Sequence, residues 1–193
     1  MKIKTRDMTL IAFFTVLAII GGKITFPVLM IPFTLQTAVC MLTGILLGWR
    51  RALMAQGLYL LMGLIGLPVF AAGGGPGYIL QPSFGYLPGM VLGAALIGFL
   101  ADRADPARDN AKIYQLLAFN VAGLAVVYLC GVSYLFLIKN IYGADSFSFV
   151  RALQVGMIPF LVTDGIYAVL TALAGPVLRR VTRQYIHPVQ TRS

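Results

Sequence analysis

The sequence predicts an all-α fold, a polytopic membrane protein whose six transmembrane helices form one compact bundle. Of its 193 residues, 59% are hydrophobic and only 11% are charged, and the mean hydropathy is +0.87. An ordinary soluble domain carries about 25% charged residues. The apolar residues fall into runs, most of which approach the roughly 17–25 residues that a spanning helix needs. Because the loops between them are short, we expect a single transmembrane domain over residues 1–193.

The predicted spans follow from where each apolar run begins and ends. In chain order they are Met8–Gly22, Leu35–Leu47, Ala52–Leu67, Gly85–Ala101, Ile113–Ile138 and Val155–Leu178. The second is short unless its flanks are included. The first has the length of a signal-peptide core, which is an alternative interpretation. No small-residue cleavage site follows it cleanly, and the apolar character resumes after Lys23, so we expect a retained first helix.

Five connections separate the spans, and each differs in character from its neighbours. In chain order they are Lys23–Thr34, apolar with two prolines; a tight turn at Arg50 and Arg51; the glycine-rich Gly66–Gln81; the hydrophilic Asp102–Lys112; and Lys139–Arg151, polar with aromatics. We find no internal repeat strong enough to predict an inverted-repeat transporter.

Basic residues are distributed unevenly between the two sides of this six-span arrangement. Twelve of the 15 Lys and Arg residues lie on one side, and only Lys23, Lys139 and Arg151 lie on the other. This is the positive-inside pattern, so we expect both termini in the cytoplasm. The pattern also accounts for the net charge of +9 without a nucleic-acid partner. Some of these residues are expected to bind anionic lipid headgroups.

The segment Gly66–Gly89, GLPVFAAGGGPGYILQPSFGYLPG, has no charged side chain although it is crowded with glycine and proline. Irregular backbone at membrane depth is tolerated only where protein, cavity water or a ligand satisfies its polar groups. Gly74 lies in a run that permits close backbone approach. Flat aromatic walls are supplied by Phe70, Tyr78, Phe84 and Tyr86. We interpret the segment as the wall or lid of an outward-opening pocket; the alternative is a packed re-entrant turn without a ligand.

Asp164 is the one acidic residue within the predicted spans. Placing a carboxylate at the centre of a spanning helix costs roughly 2.5–3.5 kcal/mol on insertion scales, so such a residue is a functional candidate. It is also placed where it could cap the start of a helical section. Tyr167, three residues later, shares its helix face and is either a polar partner for the ligand or a membrane-interface tyrosine.

Other polar candidates lie at the outer ends of the spans. Gln36, with Thr34 beside it, begins the second helix, and its amide donates and accepts for a ligand or caps backbone. Tyr128 and Tyr134 flank Gly131 in the fifth span, where the large-small-large spacing favours helix packing.

Small or fairly small residues recur at i and i+4 on the first helix. The pairs are Ala12 with Val16 and Ala18 with Gly22. Such faces let helices approach closely. They suit contact with another membrane subunit, and internal packing is the alternative.

Residues for catalysis, metal binding or a cofactor are not indicated. The chain contains no Glu, its glycine run lacks the Gly-Lys-Ser/Thr of a phosphate-binding loop, and His187 in the basic tail is its single histidine. Cys40 and Cys130 are isolated within apolar runs. We therefore expect neither an enzyme nor a cofactor.

Short motifs accompany these features along nearly the whole chain. They are PFTLQT at residues 32–37, GLPVFA at 66–71, Gly77-Tyr78, Gly85-Tyr86-Leu87, and Pro159-Phe160 before Asp164. Together they resemble the BioY family, the biotin-specific substrate-binding (S) components of energy-coupling factor (ECF) transporters. The resemblance implies an ECF S-component-like fold in the bacterial cell membrane and a vitamin pocket near the outer face. It further implies dependence on a transmembrane coupling subunit and two cytoplasmic ATPases, with biotin captured outside the cell.

On this resemblance, Phe70, Tyr78 and Tyr86 pack on the ligand, and the hydrogen-bonding residues are Gln36, Gln81, Asp164 and Tyr167. The carboxylate partner is open between Lys23, Lys139, Arg151 and backbone amides of the glycine run.

Three departures from the family pattern leave alternatives. The family usually has a lysine where Tyr167 stands, little bulk at Phe84, and a small residue at Val16. Lost charge and added bulk would suit a less polar head group, so lipoate or another biotin-like acid is the alternative substrate. A different class is an autonomous secondary transporter that uses Asp164 as its carrier. A membrane scaffold without a ligand is the third interpretation.

Overall fold

The computed structural model describes residues 4–26, 33–142 and 147–186, apart from the side chains of residues 26 and 184–186. Pro32 of the PFTLQT motif and His187 lie outside the described residues, as do Lys2 and Arg192, two of the twelve basic residues on the side predicted to be cytoplasmic. The helices are α1 (Thr5–Lys23), α2 (Gln36–Leu47), α3 (Trp49–Leu64), α4 (Tyr86–Ala104), α5 (Ile113–Tyr142), α6 (Phe149–Gly156) and α7 (Leu161–Ile186). Two-residue strands β1 (Thr25–Phe26) and β2 (Phe33–Thr34) pair antiparallel before α2.

Every predicted span contains a helix, and the all-α class is confirmed. The sixth span is interrupted: α6 ends at Gly156, a 3₁₀ turn follows at Ile158–Phe160, and α7 then begins. Pro159 lies in this turn, where its missing N–H and fixed φ suit the start of a new helix.

The number of helices long enough to span differs from the predicted six. Four segments of the described chain are long and apolar enough to cross a membrane: α1, α4, α5 and the stretch Phe149–Arg183. The 12 residues of α2 rise only about 18 Å, which is short of a hydrocarbon core of about 30 Å. The chain is not α-helical just before α2 begins or just after α3 ends, so neither of these two shorter helices is lengthened by its neighbouring residues.

Helix α2 lies at the centre of the bundle, where it packs against α1, α4 and α7, and α4 packs along α5. Gly44 permits the close approach of α2 to α4, because a Cβ there would lie 2.6 Å from the Ala94 carbonyl oxygen. The core is apolar and includes Met41, Ile45 and Ile97, each at most 1% exposed. This packing brings the amino ends of α2, α4 and α7 together at one end of the bundle.

A charged network closes the opposite end. Arg179 on α7 donates to the carbonyl oxygens of Ile45 at 2.7 Å and Asp105 at 2.8 Å. Arg108 donates to the Leu46 carbonyl and, at 2.6 Å, to the Asp102 carboxylate. Burial lowers the pKa of Arg108 to about 10, so the side chain remains charged at neutral pH.

Near α1, Arg51 pairs with Asp7 at 2.8 Å. The basic turn after α2, the hydrophilic α4–α5 loop and the carboxyl end of α7 therefore meet at one end, as the charge pattern of the sequence predicts.

Candidate functional site

A cavity lies at the end of the bundle opposite the charged network. Its empty volume is about 650 Å³, including the part open to solvent. Side chains from the amino ends of α2, α4 and α7, the middle of α5 and the α3–α4 connection line it. They are Phe33, Thr34, Gln36, Thr37, Ala71, Tyr78, Ser83, Tyr86, Leu87, Met90, Val127, Tyr128, Phe160 and Asp164. The lining thus combines aromatic and aliphatic surface with a few polar groups.

Asp164 is the charged group of the cavity, and two hydroxyl groups hold its carboxylate. The Tyr128 hydroxyl donates to Oδ2 at 2.6 Å, a short charge-assisted bond. Thr37 on α2 also hydrogen-bonds this carboxylate. Asp164 is buried near the start of α7, within its first turn. Three helices therefore fix one acceptor group at the cavity wall.

Gln36 provides a second polar group in the cavity lining, at the first residue of α2. Its side chain is 3% exposed, and its Oε1 accepts a hydrogen bond from the Tyr59 hydroxyl at 3.3 Å. Its Nε2 has no hydrogen-bond partner among the described residues. A buried amide donor without a partner is costly, and this nitrogen is the unsatisfied polar side-chain atom among the described residues of the lining.

Tyr86 at the start of α4 joins the aromatic wall to α6. Its hydroxyl donates to the Gly156 carbonyl oxygen at 2.7 Å, so its polar tip is engaged within the protein. A Cβ at Gly131 on α5 would overlap the Tyr86 ring, which shows how closely the ring packs there. The ring face of Tyr86 is thereby fixed at the cavity.

The α3–α4 connection forms another wall of the cavity through Tyr78. Behind Tyr78 lies the buried ring of Phe70, with ring centroids 4.5 Å apart, and Phe70 in turn meets the edge of Tyr59 at 5.4 Å. A Cβ at Gly63 would overlap the Phe70 ring. Lys23 Nζ donates to the Phe70 carbonyl oxygen at 2.8 Å. The wall is therefore anchored to both α1 and α3.

Gly73 and Gly75 in this connection form backbone hydrogen bonds within the chain. The Gly75 N–H donates to the Gly63 carbonyl at 2.7 Å, and Phe70 and Gly73 exchange two backbone bonds. Gly74 packs against the Leu67 carbonyl. The segment is thus packed as a turn and also forms a wall of the cavity, and a ligand against it stays a prediction.

Six of the predicted binding residues line the cavity: Thr34, Gln36, Tyr78, Tyr86, Tyr128 and Asp164. Phe70 and Gly74 support the wall from behind. The other three do not line it: Gln81 is exposed, Phe84 packs on Tyr134 with centroids 5.6 Å apart, and Tyr167 packs against the apolar core.

The predicted partner face of α1 divides into two parts. Ala12 and Val16 are exposed, so contact with another subunit stays a prediction for them. Ala18 is fully buried and Gly22 is buried against Gln36 and Tyr59. This second pair packs inside the chain, as in the alternative interpretation of close helix packing.

Sequence reasoning missed several lining residues. Thr37 could have been predicted from the sequence, because it follows Gln36 in the PFTLQT motif. The apolar Met90, Val127 and Leu87 are indistinguishable in sequence from core residues of a spanning helix. Tyr59 lies outside the lining and hydrogen-bonds Gln36 from behind. No local sequence pattern marks it, because this contact depends on the packing of α3 against α1 and α2.

None of the described residues that line the cavity is Lys or Arg. Lys23 bonds to the Phe70 carbonyl, and Arg151 lies over the Phe147 ring, 5.7 Å from its centroid. The Asp164 carboxylate therefore sets the charge of the site within this part of the chain.

Comparison with known proteins identifies the family. The BioY family model matches residues 1–184. The chain belongs to the BioY family. It is 37% identical over 179 residues to "Probable biotin transporter BioY" of Lysinibacillus sphaericus, covering 93% of this chain and 89% of that one. It is 36% identical over 177 residues to "Biotin transporter BioY" of Thermotoga maritima, covering 91% and 97%.

A solved structure agrees with the bundle. The crystal structure at 2.1 Å of the S-component for biotin from an ECF-type ABC transporter matches with a TM-score of 0.79 and 28% identity, covering 93% of this chain and 94% of that one. The chain is therefore a multi-pass membrane protein with an ECF S-component fold. Because the relatives are named as transporters, the prediction of a transport subunit rather than an enzyme is confirmed.

Proposed function

We propose that this protein is the substrate-binding component of an ECF-type transporter and that it captures biotin in the cavity described above. The observation that carries the proposal is that one cavity holds two polar groups of opposite kind: an amide donor without a partner, Gln36 Nε2, and a fixed carboxylate acceptor, Asp164. The rest of the cavity is largely apolar and aromatic. The names of the BioY relatives support biotin as the substrate.

The polar groups suit the ureido ring of biotin. That ring offers a carbonyl oxygen, which matches the Gln36 amide N–H, and N–H groups, which match the Asp164 carboxylate. Aromatic faces of Tyr78 and Tyr86 cover the thioether ring and the aliphatic chain. A dithiolane ring such as that of lipoate would leave the Gln36 amide N–H unpaired, at a cost of about 1–3 kcal/mol for a buried group, and would give the Asp164 carboxylate no further donor.

Two departures from the family pattern, at Phe84 and Tyr167, suggested lipoate as an alternative substrate. Neither residue lines the cavity. Bulk at Phe84 and a missing lysine at Tyr167 therefore leave the described lining unaltered, and biotin remains the preferred ligand.

Charge repulsion indicates the orientation of the bound ligand. Asp164 lies inside the cavity, and a second carboxylate beside it would be repelled in a poorly solvated site. The ureido ring therefore lies inward against Gln36 and Asp164, and the valerate carboxylate lies towards the opening.

Uptake is proposed to depend on partner subunits. The solved neighbour is named as a component of an ECF-type ABC transporter, and the sequence of this chain has no nucleotide-binding loop. We place a transmembrane coupling subunit on the exposed face of α1 around Ala12 and Val16, with two cytoplasmic ATPases supplying the energy. The positive-inside pattern supports cytoplasmic termini and a cavity that opens outside the bacterial cell membrane.

Titration calorimetry of the purified, detergent-solubilised protein with biotin, and separately with lipoate, tests the proposal. Saturable 1:1 binding of biotin, with lipoate much weaker, is expected. Asp164→Asn should weaken biotin binding by more than tenfold, because it removes a charge-assisted hydrogen bond. The matched control is Asp109→Asn, which changes an exposed carboxylate at the opposite end. Tight binding of lipoate without biotin binding would refute the proposed substrate.

A further inference from the structure

Tyr59 is a buried residue of α3 that does not line the cavity, yet its hydroxyl contacts a residue that does. Its side chain is 1% exposed, and its hydroxyl lies 3.3 Å from Gln36 Oε1. Both hydroxyl and amide are away from water, so each depends on the other for a hydrogen bond.

The amide of Gln36 has two faces of opposite character, one donor and one acceptor. Because Tyr59 donates to Oε1, the acceptor side is occupied on the protein side of the residue. The donor, Nε2, is left without a partner among the described residues and belongs to a side chain of the cavity lining. A rotated amide would place an oxygen where the nitrogen is now, and it would reverse what the site accepts.

The surroundings of the pair restrict the amide. A Cβ at Gly22 on α1 would lie 3.1 Å from both the Tyr59 hydroxyl and Gln36 Oε1, so α1 packs directly against the bond. The Tyr59 ring packs in turn against the Phe70 ring in an edge-to-face arrangement. Contacts from α1, from α3 and from the α3–α4 connection therefore hold the Tyr59 hydroxyl against Gln36 Oε1.

We infer that Tyr59 is a specificity-determining positioning residue: its hydroxyl orients the Gln36 amide so that the site presents an N–H donor and selects ligands with an acceptor on the head group. The inference rests on the proposed function and names which atom of that ligand is selected. Tyr59 acts through Gln36 and does not itself contact the ligand.

The test compares biotin at neutral pH with 2-iminobiotin, whose protonated guanidinium carries an N–H donor and a positive charge where biotin has its ureido oxygen. Because Asp164 is the same in every variant compared, its attraction for this cation cancels when the ratios of the two dissociation constants are compared between variants. For the wild-type protein, calorimetry should give a much larger dissociation constant for 2-iminobiotin than for biotin. Tyr59→Phe keeps the ring and removes only the hydroxyl. It should weaken biotin binding by about three- to tenfold, the usual effect of one hydrogen bond, and reduce the ratio of the two constants because the amide is free to rotate.

Two controls separate orientation from general damage. Tyr114→Phe removes a hydroxyl from an exposed ring near the opposite end and should leave both constants unchanged. In a Gln36→Met background, Tyr59→Phe should have no further effect on either ligand, since the two residues act as one unit.

The outcomes are distinguishable. A reduced ratio in Tyr59→Phe, absent in the Gln36→Met background, supports the inference. An unchanged ratio in Tyr59→Phe, whether or not both affinities fall together, overturns the role of Tyr59. Tight binding of biotin by the wild-type protein would in that case still support the proposed function. Failure of the wild-type protein to bind biotin overturns both.

Discussion

Replacing Arg179 by alanine should destabilise the protein far more than replacing its neighbour Arg180. Arg179 is fully buried, whereas the Arg180 side chain is 62% exposed. The two residues are adjacent on α7 and equal in charge. The comparison therefore isolates burial and bonding from helix propensity and net charge.

The magnitude follows from the bonds that Arg179 makes. It donates to the Ile45, Ala101 and Asp105 carbonyl oxygens at 2.7, 3.2 and 2.8 Å. It also lies 3.6 Å from the carboxylates of Asp102 and Asp105. Removing one partner of a buried charged pair costs about 3–5 kcal/mol. Among the described residues, Arg180 bonds to the exposed Asp109, and an exposed pair of this kind contributes about 0–1 kcal/mol.

Thermal unfolding in detergent measures the difference. At about 2–4 °C per kcal/mol for a chain of this size, Arg179→Ala should lower the Tm by about 6–20 °C, and Arg180→Ala by less than about 4 °C. Arg179→Lys should fall between them, because a single ammonium cannot reproduce the planar fork of guanidinium donors. Equal shifts for the two alanine variants would refute the assigned role of the buried network.

Further substitutions test the cavity wall and its lining. Gly63→Ala drives a Cβ into the ring behind the wall and should cost about 1–3 kcal/mol in thermal unfolding, whereas Gly57→Ala, with open space around it, should be neutral or stabilising. Equal effects of the two substitutions on thermal unfolding would contradict the close packing of Phe70 against Gly63. Tyr128→Phe removes a hydrogen bond to a carboxylate and should weaken biotin binding in calorimetry by roughly tenfold or more; an unchanged dissociation constant would contradict this. Tyr167→Phe should leave that constant unchanged, since the residue does not line the cavity.

Sequence patterns predicted the helices well, because each spanning helix needs a long apolar run and each loop is marked by charge or by glycine and proline. The break between α6 and α7 falls at Pro159, inside a stretch that run length alone predicts as one span. Span number was less predictable: α2 is an apolar helix of only 12 residues, and run length alone does not show how non-helical chain continues it.

The candidate site was predictable where a residue is unusual for its surroundings. Asp164 and Gln36 are polar at the ends of apolar helices, so their cost in the membrane draws attention to them. Phe84 and Tyr167 share the residue types of the lining, and only packing shows that they face Tyr134 and the apolar core. Tyr59 acts through a contact between residues 23 positions apart, which no local pattern reveals.

The bond from Lys23 to the Phe70 carbonyl has a mechanical consequence. Lys23 is the last residue of α1, and Phe70 supports the Tyr78 wall. The backbone behind the cavity wall is therefore attached to the end of the first helix by a side chain, in addition to the packing of Phe70 on α3. One lysine thus joins two parts of the chain that lie 47 residues apart.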